Sequence, residues 1–140
     1  MELILWRHAD AEDGAPDLER RLTPQGRKDA ERVAKWLLRH LPAGFEVVAS
    51  PAARAQETAK ALKVGIRIDP ALAPGASVND ILGAASRAAK VAVIVGHQPD
   101  LGCAIAHLFG REQAEWRLQK GALWWIEDDL VKAVISPDLL

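Results

Sequence analysis

Residues 91–95 read Val-Ala-Val-Ile-Val, an unbroken apolar run rich in β-branched side chains. A strand that is apolar on both faces has to be covered on both, as an inner strand of a parallel sheet is when helices pack above and below it. No other segment constrains the fold as strongly.

The rest of the chain supplies partners for that strand in alternation. Leu3–Trp6 reads as a buried strand. Thr23-Pro24 then forms an N-cap followed by proline at the first helical position. Behind it, Ala30, Val33, Ala34, Leu37, Leu38 and Leu41 recur at helical spacing with charged residues between them, which predicts an amphipathic helix ending at Leu41, before Pro42 and Gly44. Phe45–Ala49 is a second strand, and Ser50-Pro51 repeats the cap-plus-proline pattern, opening a helix to about Leu62. Ile66–Ile68 is a short strand. Ser77–Asp80 begins a third helix with a capping box, and Gln98-Pro99 opens a fourth, to about Phe109. Ala122–Ile126 and Val131–Ile135 flank the acidic turn Glu127-Asp128-Asp129 as an antiparallel hairpin. Strand–helix alternation of this kind predicts an α/β, three-layer α/β/α sandwich: a mostly parallel central sheet with a C-terminal antiparallel hairpin.

With 140 residues, 49% of them hydrophobic, and no linker, repeat or low-complexity stretch, residues 1–140 are expected to form one domain. The formal net charge of -1 predicts no general attraction to nucleic acid or to an anionic membrane, so any anion site must be local. Cys103 is the only cysteine, which excludes an internal disulfide and a cysteine zinc site and fits a reducing cytoplasm. The apolar start is too short for a signal-peptide core, and nothing approaches a membrane span.

In a sheet of this type the carboxyl ends of the strands and the amino ends of the following helices share one edge, where ligands bind. Arg7 and His8 follow the first strand, Ser50 and Arg54 the second, and Gly96-His97 the run Val91–Val95. Two arginines, two histidines and several helix amino ends therefore meet on one rim. Unpaired helix N–H groups and the planar guanidinium fork both suit phosphate oxygens.

Four stretches on that rim carry a resemblance. Leu5-Trp6-Arg7-His8-Ala9, Leu22-Thr23-Pro24-Gln25-Gly26, the segment 49–59 (ASPAARAQETA) and Val95-Gly96-His97-Gln98-Pro99 resemble, in order, the motifs of the histidine phosphatase superfamily, the phosphoglycerate-mutase-like fold. Together with the short length they are most similar to its bacterial SixA-type phosphohistidine phosphatases. The resemblance implies that His8 is the nucleophile, transiently phosphorylated, with a backbone carbonyl fixing its tautomer. It implies that Arg7 and Arg54 clamp the phosphoryl oxygens and that His97, if protonated, donates to one of them; Gln98 adds a backbone N–H at a helix start to the same phosphate site. No metal and no cofactor enter this scheme. The expected partner is a phosphorylated protein, a phosphocarrier or a phosphotransfer domain.

Two departures from the pattern stand out. Ala9 replaces the usual glycine after the histidine, which is tolerable if the backbone there is not left-handed. Relatives that cleave phosphate esters carry a carboxylic acid in an insertion after the third strand, where this chain has only DPALAPGASV, residues 69–78. Without that acid, N–P cleavage is favoured, because imidazole can leave neutral where an alkoxide needs a proton. The missing insertion also predicts an open, shallow rim. Asp10, Glu12 and Asp80 are the substitute acids in reach, each also explained as a loop or cap residue. The competing functions are a small-molecule phosphomonoesterase on the same scaffold and a module that binds phosphate without hydrolysing it.

The remaining polar residues have structural readings. Thr23 reads as a cap first and a site neighbour second, Ser50 could approach the phosphate although capping explains it fully, His40 suits a helix end, His107 lies mid-helix, and Cys103 is a core thiol. Trp124 and Trp125, adjacent on a strand, must point to opposite faces: either helices cover both, the expected reading, or one ring is exposed and marks a docking patch.

Overall fold

The computed structural model describes residues 1–111, 114 and 116–140. One six-stranded sheet runs through it in the order β3-β2-β4-β1-β5-β6, with β1 at Glu2–Arg7, β2 at Glu46–Ala49, β3 at Ile66–Ile68, β4 at Val91–Gly96, β5 at Leu123–Glu127 and β6 at Leu130–Ile135. The first four strands are mutually parallel, and β5 and β6 add the antiparallel hairpin at the edge of β1. The expected α/β/α architecture is the one observed.

Period-two alternation sorts the strand side chains between two helix layers. Ile4, Trp6, Val93 and Val95 meet Val33, Ala34 and Leu37 of α1 (Pro24–His40) and Ala55 and Ala59 of α2 (Ala53–Lys60). Leu3, Leu5, Ala92 and Ile94 meet Ile81 and Ala84 of α3 (Val78–Arg87) and Leu101 and Ile105 of α4 (Asp100–Leu108). All six residues of β4 are buried, as an inner strand under two layers must be. Trp125 is buried on the α1 side with Trp36 edge-on at 5.9 Å, whereas Trp124 is only half-covered on the other side, against Trp116.

The helix starts and ends refine the expected ones. Thr23 caps α1, its hydroxyl accepting from Gly26 N–H at 2.9 Å, and α1 ends at His40 with Leu41 as C-cap. Leu38 falls on the exposed side of the stripe. The helix α2 begins at Ala53, later than Ser50-Pro51, and α4 begins at Asp100, later than Gln98-Pro99; in both places the residues after the strand form a turn instead. That displacement keeps Ser50 and Gln98 available for other contacts. Cys103 is half-buried rather than a core thiol, and His107 lies in the last turn of α4, not its middle. His40 is exposed, stacked on Trp36, with its Nδ1 at 2.7 Å from the Trp36 carbonyl.

Candidate active site

The strand ends are level with one another. Arg7 lies beside Gly96 and Ala49 beside Val95 in the sheet register, so the residues that follow, His8, His97 and Ser50, leave the sheet at the same height. Backbone bonds continue the ladder, with His8 N–H to the Gly96 carbonyl and Ser50 N–H to the Val95 carbonyl, both 3.0 Å. The rings of His8 and His97 stand 5.1 Å apart. In the first turn of α2, Arg54 reaches the same place. A cleft of about 240 Å³ is lined by Arg7, His8, Arg54, His97 and Gln98, with Arg20, Asp13 and Lys120 at its sides. All five site residues expected from the sequence therefore share one cavity.

That cavity is recessed, not the shallow rim expected, because His8, Arg54 and His97 are each less than 9% exposed. Its wall on the α3 side is Pro74, in a loop held by the buried Asp100 carboxylate, which accepts from the N–H groups of Gly75 and Ala76.

His8 donates from Nδ1 to the Ala9 carbonyl at 2.7 Å, which leaves Nε2 with its lone pair in the neutral ring. Burial, opposed by that carbonyl and reinforced by Arg54 and Arg7, holds the ring down to about 4. The neutral, nucleophilic form is therefore the resident one at neutral pH. His97 is held lower, to about 3, first by burial and then by His8 and Arg54. In the free cleft the neutral ring is therefore the favoured form. Its Nε2 meets the Ser50 hydroxyl at 2.8 Å, and that hydroxyl also accepts from Ala52 N–H. Ser50 is thus a support for His97; the N-cap of α2 is Ala52.

Arg54 is fixed by a residue that sequence reasoning missed. Its Nη1 donates to the Asp17 carbonyl at 2.8 Å and its Nη2 to the Asp17 carboxylate at 3.1 Å, while Arg20 holds the other carboxylate oxygen at 2.9 Å. Arg7 donates from Nη1 to the Leu118 carbonyl at 2.7 Å. Arg7 Nε and His97 Nδ1 are the buried side-chain polar atoms without a partner among the described residues. Buried polar groups are normally satisfied. Both exceptions falling in this cleft marks it as a place built for a polar ligand.

The shoulder of the site explains two motifs. Ala9 has no positive φ, so the alanine is accommodated. Its N–H donates to the Thr58 hydroxyl, which in turn donates to the Arg54 carbonyl, coupling the loop after β1 to α2. A Cβ on Gly26 would stand 2.1 Å from the Asp10 carbonyl oxygen, so the first turn of α1 can pack on that loop only with glycine there. Thr23 also donates to Asp10 Oδ2 at 3.0 Å. Thr23→Ala is expected to cost about 1–2 kcal/mol, read as a shift in the denaturant midpoint at unchanged slope.

The three expected acids are not arranged as proton donors. Asp10 is paired with Lys120 at 2.9 Å and held by Thr23, interactions that keep its pKa below the usual carboxylate range. Asp80 closes the capping box of α3, and its bond from the Ser77 backbone lowers its pKa likewise. Glu12 is exposed and does not line the cleft. Among the described residues the carboxylate lining the cleft is Asp13, and none of their His, Cys, Asp and Glu side chains cluster in threes as a metal site would need.

Residues 3–75 of the sequence, which include Arg7, His8 and Arg54, match the family model of the histidine phosphatase superfamily (branch 1). The chain belongs to the histidine phosphatase superfamily. An uncharacterized protein of Picosynechococcus sp. is 37% identical over 138 residues, covering 88% of this chain and 82% of that one. The structure assigned to the phosphohistidine phosphatase SixA of Nakamurella multipartitia is 28% identical and superposes with a TM-score of 0.73, covering 93% and 86% of the two chains. The protein histidine phosphatase SixA complexed with tungstate has 22% identity and a TM-score of 0.84 over 99% of each chain. The fold is therefore phosphoglycerate-mutase-like, the neighbours include SixA-type histidine phosphatases, and the family relation supports a phosphatase. No helix among the described residues is long and apolar enough to cross a membrane.

Proposed function

We propose that the protein hydrolyses the N–P bond of phosphohistidine on a protein, through a phosphohistidine intermediate on His8. The observation that carries this reading is a recessed, cationic cleft poor in acid, in which the neutral His8 ring keeps Nε2 for attack. Arg7 and Arg54 draw the phosphoryl oxygens in, and the dianion offsets the crowding of cations around both rings. His8 Nε2 forms a bond to phosphorus as the bond to the substrate imidazole breaks. The bonding pair leaves on that nitrogen, and the departing ring is neutral when its second nitrogen carries a proton. Water then attacks the phosphorus of phospho-His8, releasing inorganic phosphate and restoring the neutral ring. His97, steadied by Ser50, contributes one N–H to a phosphoryl oxygen, and Gln98 lines the approach. None of these residues needs a metal ion for its role. The single cysteine and the modest net charge suit a cytoplasmic protein that meets its substrate in solution.

Asp13 favours a second reading, in which its carboxyl protonates an alkoxide and the substrate is a small phosphate ester. Turnover of phosphoramidate against an alkyl phosphate separates the two. A preference of at least about a hundredfold in kcat/KM for the N–P compound is expected, within the range general acid catalysis contributes. Preference for the ester, lost in Asp13→Asn, would overturn the phosphohistidine reading. A module that only binds phosphate would leave no acid-labile, alkali-stable phosphate on His8.

A further inference from the structure

The phosphoryl cleft opens into a second one of about 620 Å³, lined by Arg7, Gln98, Pro99, Arg117, Gln119 and Lys120. Arg7, Gln98 and Lys120 line both, so the two form one continuous groove. The first compartment is small and filled by the groups that would hold the phosphoryl unit. The second is where there is room for what carries it.

Its floor is rigid. Leu118 is buried, with its carbonyl on Arg7, and Gly121 takes up both the His8 carbonyl, through its N–H, and the Trp6 indole N–H, through its carbonyl, each at 3.0 Å. Gln98 donates to the Trp116 carbonyl at 2.9 Å and accepts from Gly102 N–H, tying the same segment to α4. Arg117 and Lys120 are exposed on this pinned loop, so little ordering is needed to present them. The described side chains lining the whole groove include Arg7, Arg20, Arg54, Arg117 and Lys120 but only Asp13 as a carboxylate, in a chain whose net charge is -1. Among the described residues Asp10 pairs with Lys120, and Asp17 with Arg20 and Arg54, while Arg117 lines the second compartment beside Arg7.

Resting on the phosphohistidine reading, we propose that this second compartment docks an acidic stretch of the substrate protein next to its phosphohistidine, with Arg117 as the residue that selects it. Charge complementarity at an exposed rim acts on encounter and substrate affinity, not on the chemical step. The variant Arg117→Glu, at an exposed residue that does not line the phosphoryl cleft, is compared with the wild type on three probes. These are phosphoramidate, a phosphohistidine peptide with neutral flanks, and the same peptide flanked by aspartate and glutamate. The wild type is expected to prefer the acidic peptide, a preference that shrinks with added salt. In Arg117→Glu, kcat/KM for the acidic peptide should fall about tenfold, through KM, with the other two substrates within twofold of wild type. Equal use of acidic and neutral peptides by the wild type, or an equal loss on all three probes in the variant, would overturn the docking surface while leaving the phosphohistidine reading intact. If the wild type cleaves none of the three, that reading falls and the surface with it.

Discussion

Turnover of phosphoramidate by the His8→Ala protein is expected to fall by at least about a thousandfold, because the covalent route disappears with the attacking nitrogen. The ring is placed for attack by the backbone alone: its Nδ1 is spent on the Ala9 carbonyl, and the strand end that carries it is bonded to Gly96. Little of the fold depends on it. The side chain lies in a polar cleft, not in either apolar layer, and it is held neutral by burial and two nearby guanidiniums. Removing it costs the Ala9 carbonyl one partner, about 1–2 kcal/mol, which a domain of ordinary stability tolerates. The far-ultraviolet circular dichroism of the variant should match that of the wild type, with the denaturant midpoint only modestly lowered. The wild type mixed with substrate should carry an acid-labile, alkali-stable phosphate that the variant lacks. A variant retaining a tenth of the wild-type rate would mean that phosphorus is attacked by something other than this ring.

The residues that meet in the cleft are legible in the sequence for a physical reason. Arg7, His8 and His97 end strands whose apolar runs are unmistakable, and Arg54 sits in the first turn of the helix after another, so topology alone puts them on one rim. What was not legible comes from loops closing over that rim. Asp17, in the short 3-10 turn after Pro16, meets Arg54 across 37 residues, and Thr58, within the segment 49–59, shows its role only once Ala9 packs against it. The start of α2 was misplaced because Ser50 satisfies every local criterion of a cap, while in the fold its hydroxyl is taken by His97 from a different strand. The depth of the cleft was missed for a similar reason: the loop carrying Pro74 is short, as the sequence says, yet Asp100 draws it in from α4.

The same burial that keeps both rings neutral predicts an acid-sensitive fold. In the unfolded chain His8 and His97 titrate near 6.5, and in the native protein they are held to about 4 and about 3. Between those values the unfolded state binds protons that the native state refuses, so unfolding stability rises with pH. The contribution present above pH 6.5 is therefore lost as pH falls from 6.5 toward 4, with a slope of up to about 1.4 kcal/mol per pH unit for each ring. At pH 5 the two together remove on the order of 3 kcal/mol, a large share of the 5–15 kcal/mol typical of a domain. Asp10 and Asp17, whose pKa values are lowered, lose their contributions only below the ordinary carboxylate value near 3.9, outside this window. Asp100, raised by burial, acts in the opposite sense as one group against two. Denaturant melts at pH 7, 6 and 5 should show the midpoint falling steadily, and His8→Ala, with a single titrating ring left in the cleft, should show about half that dependence. A midpoint that does not move between pH 7 and pH 5 would mean that the rings are protonated inside the native cleft, and that the nucleophile assigned to His8 is not the resident form.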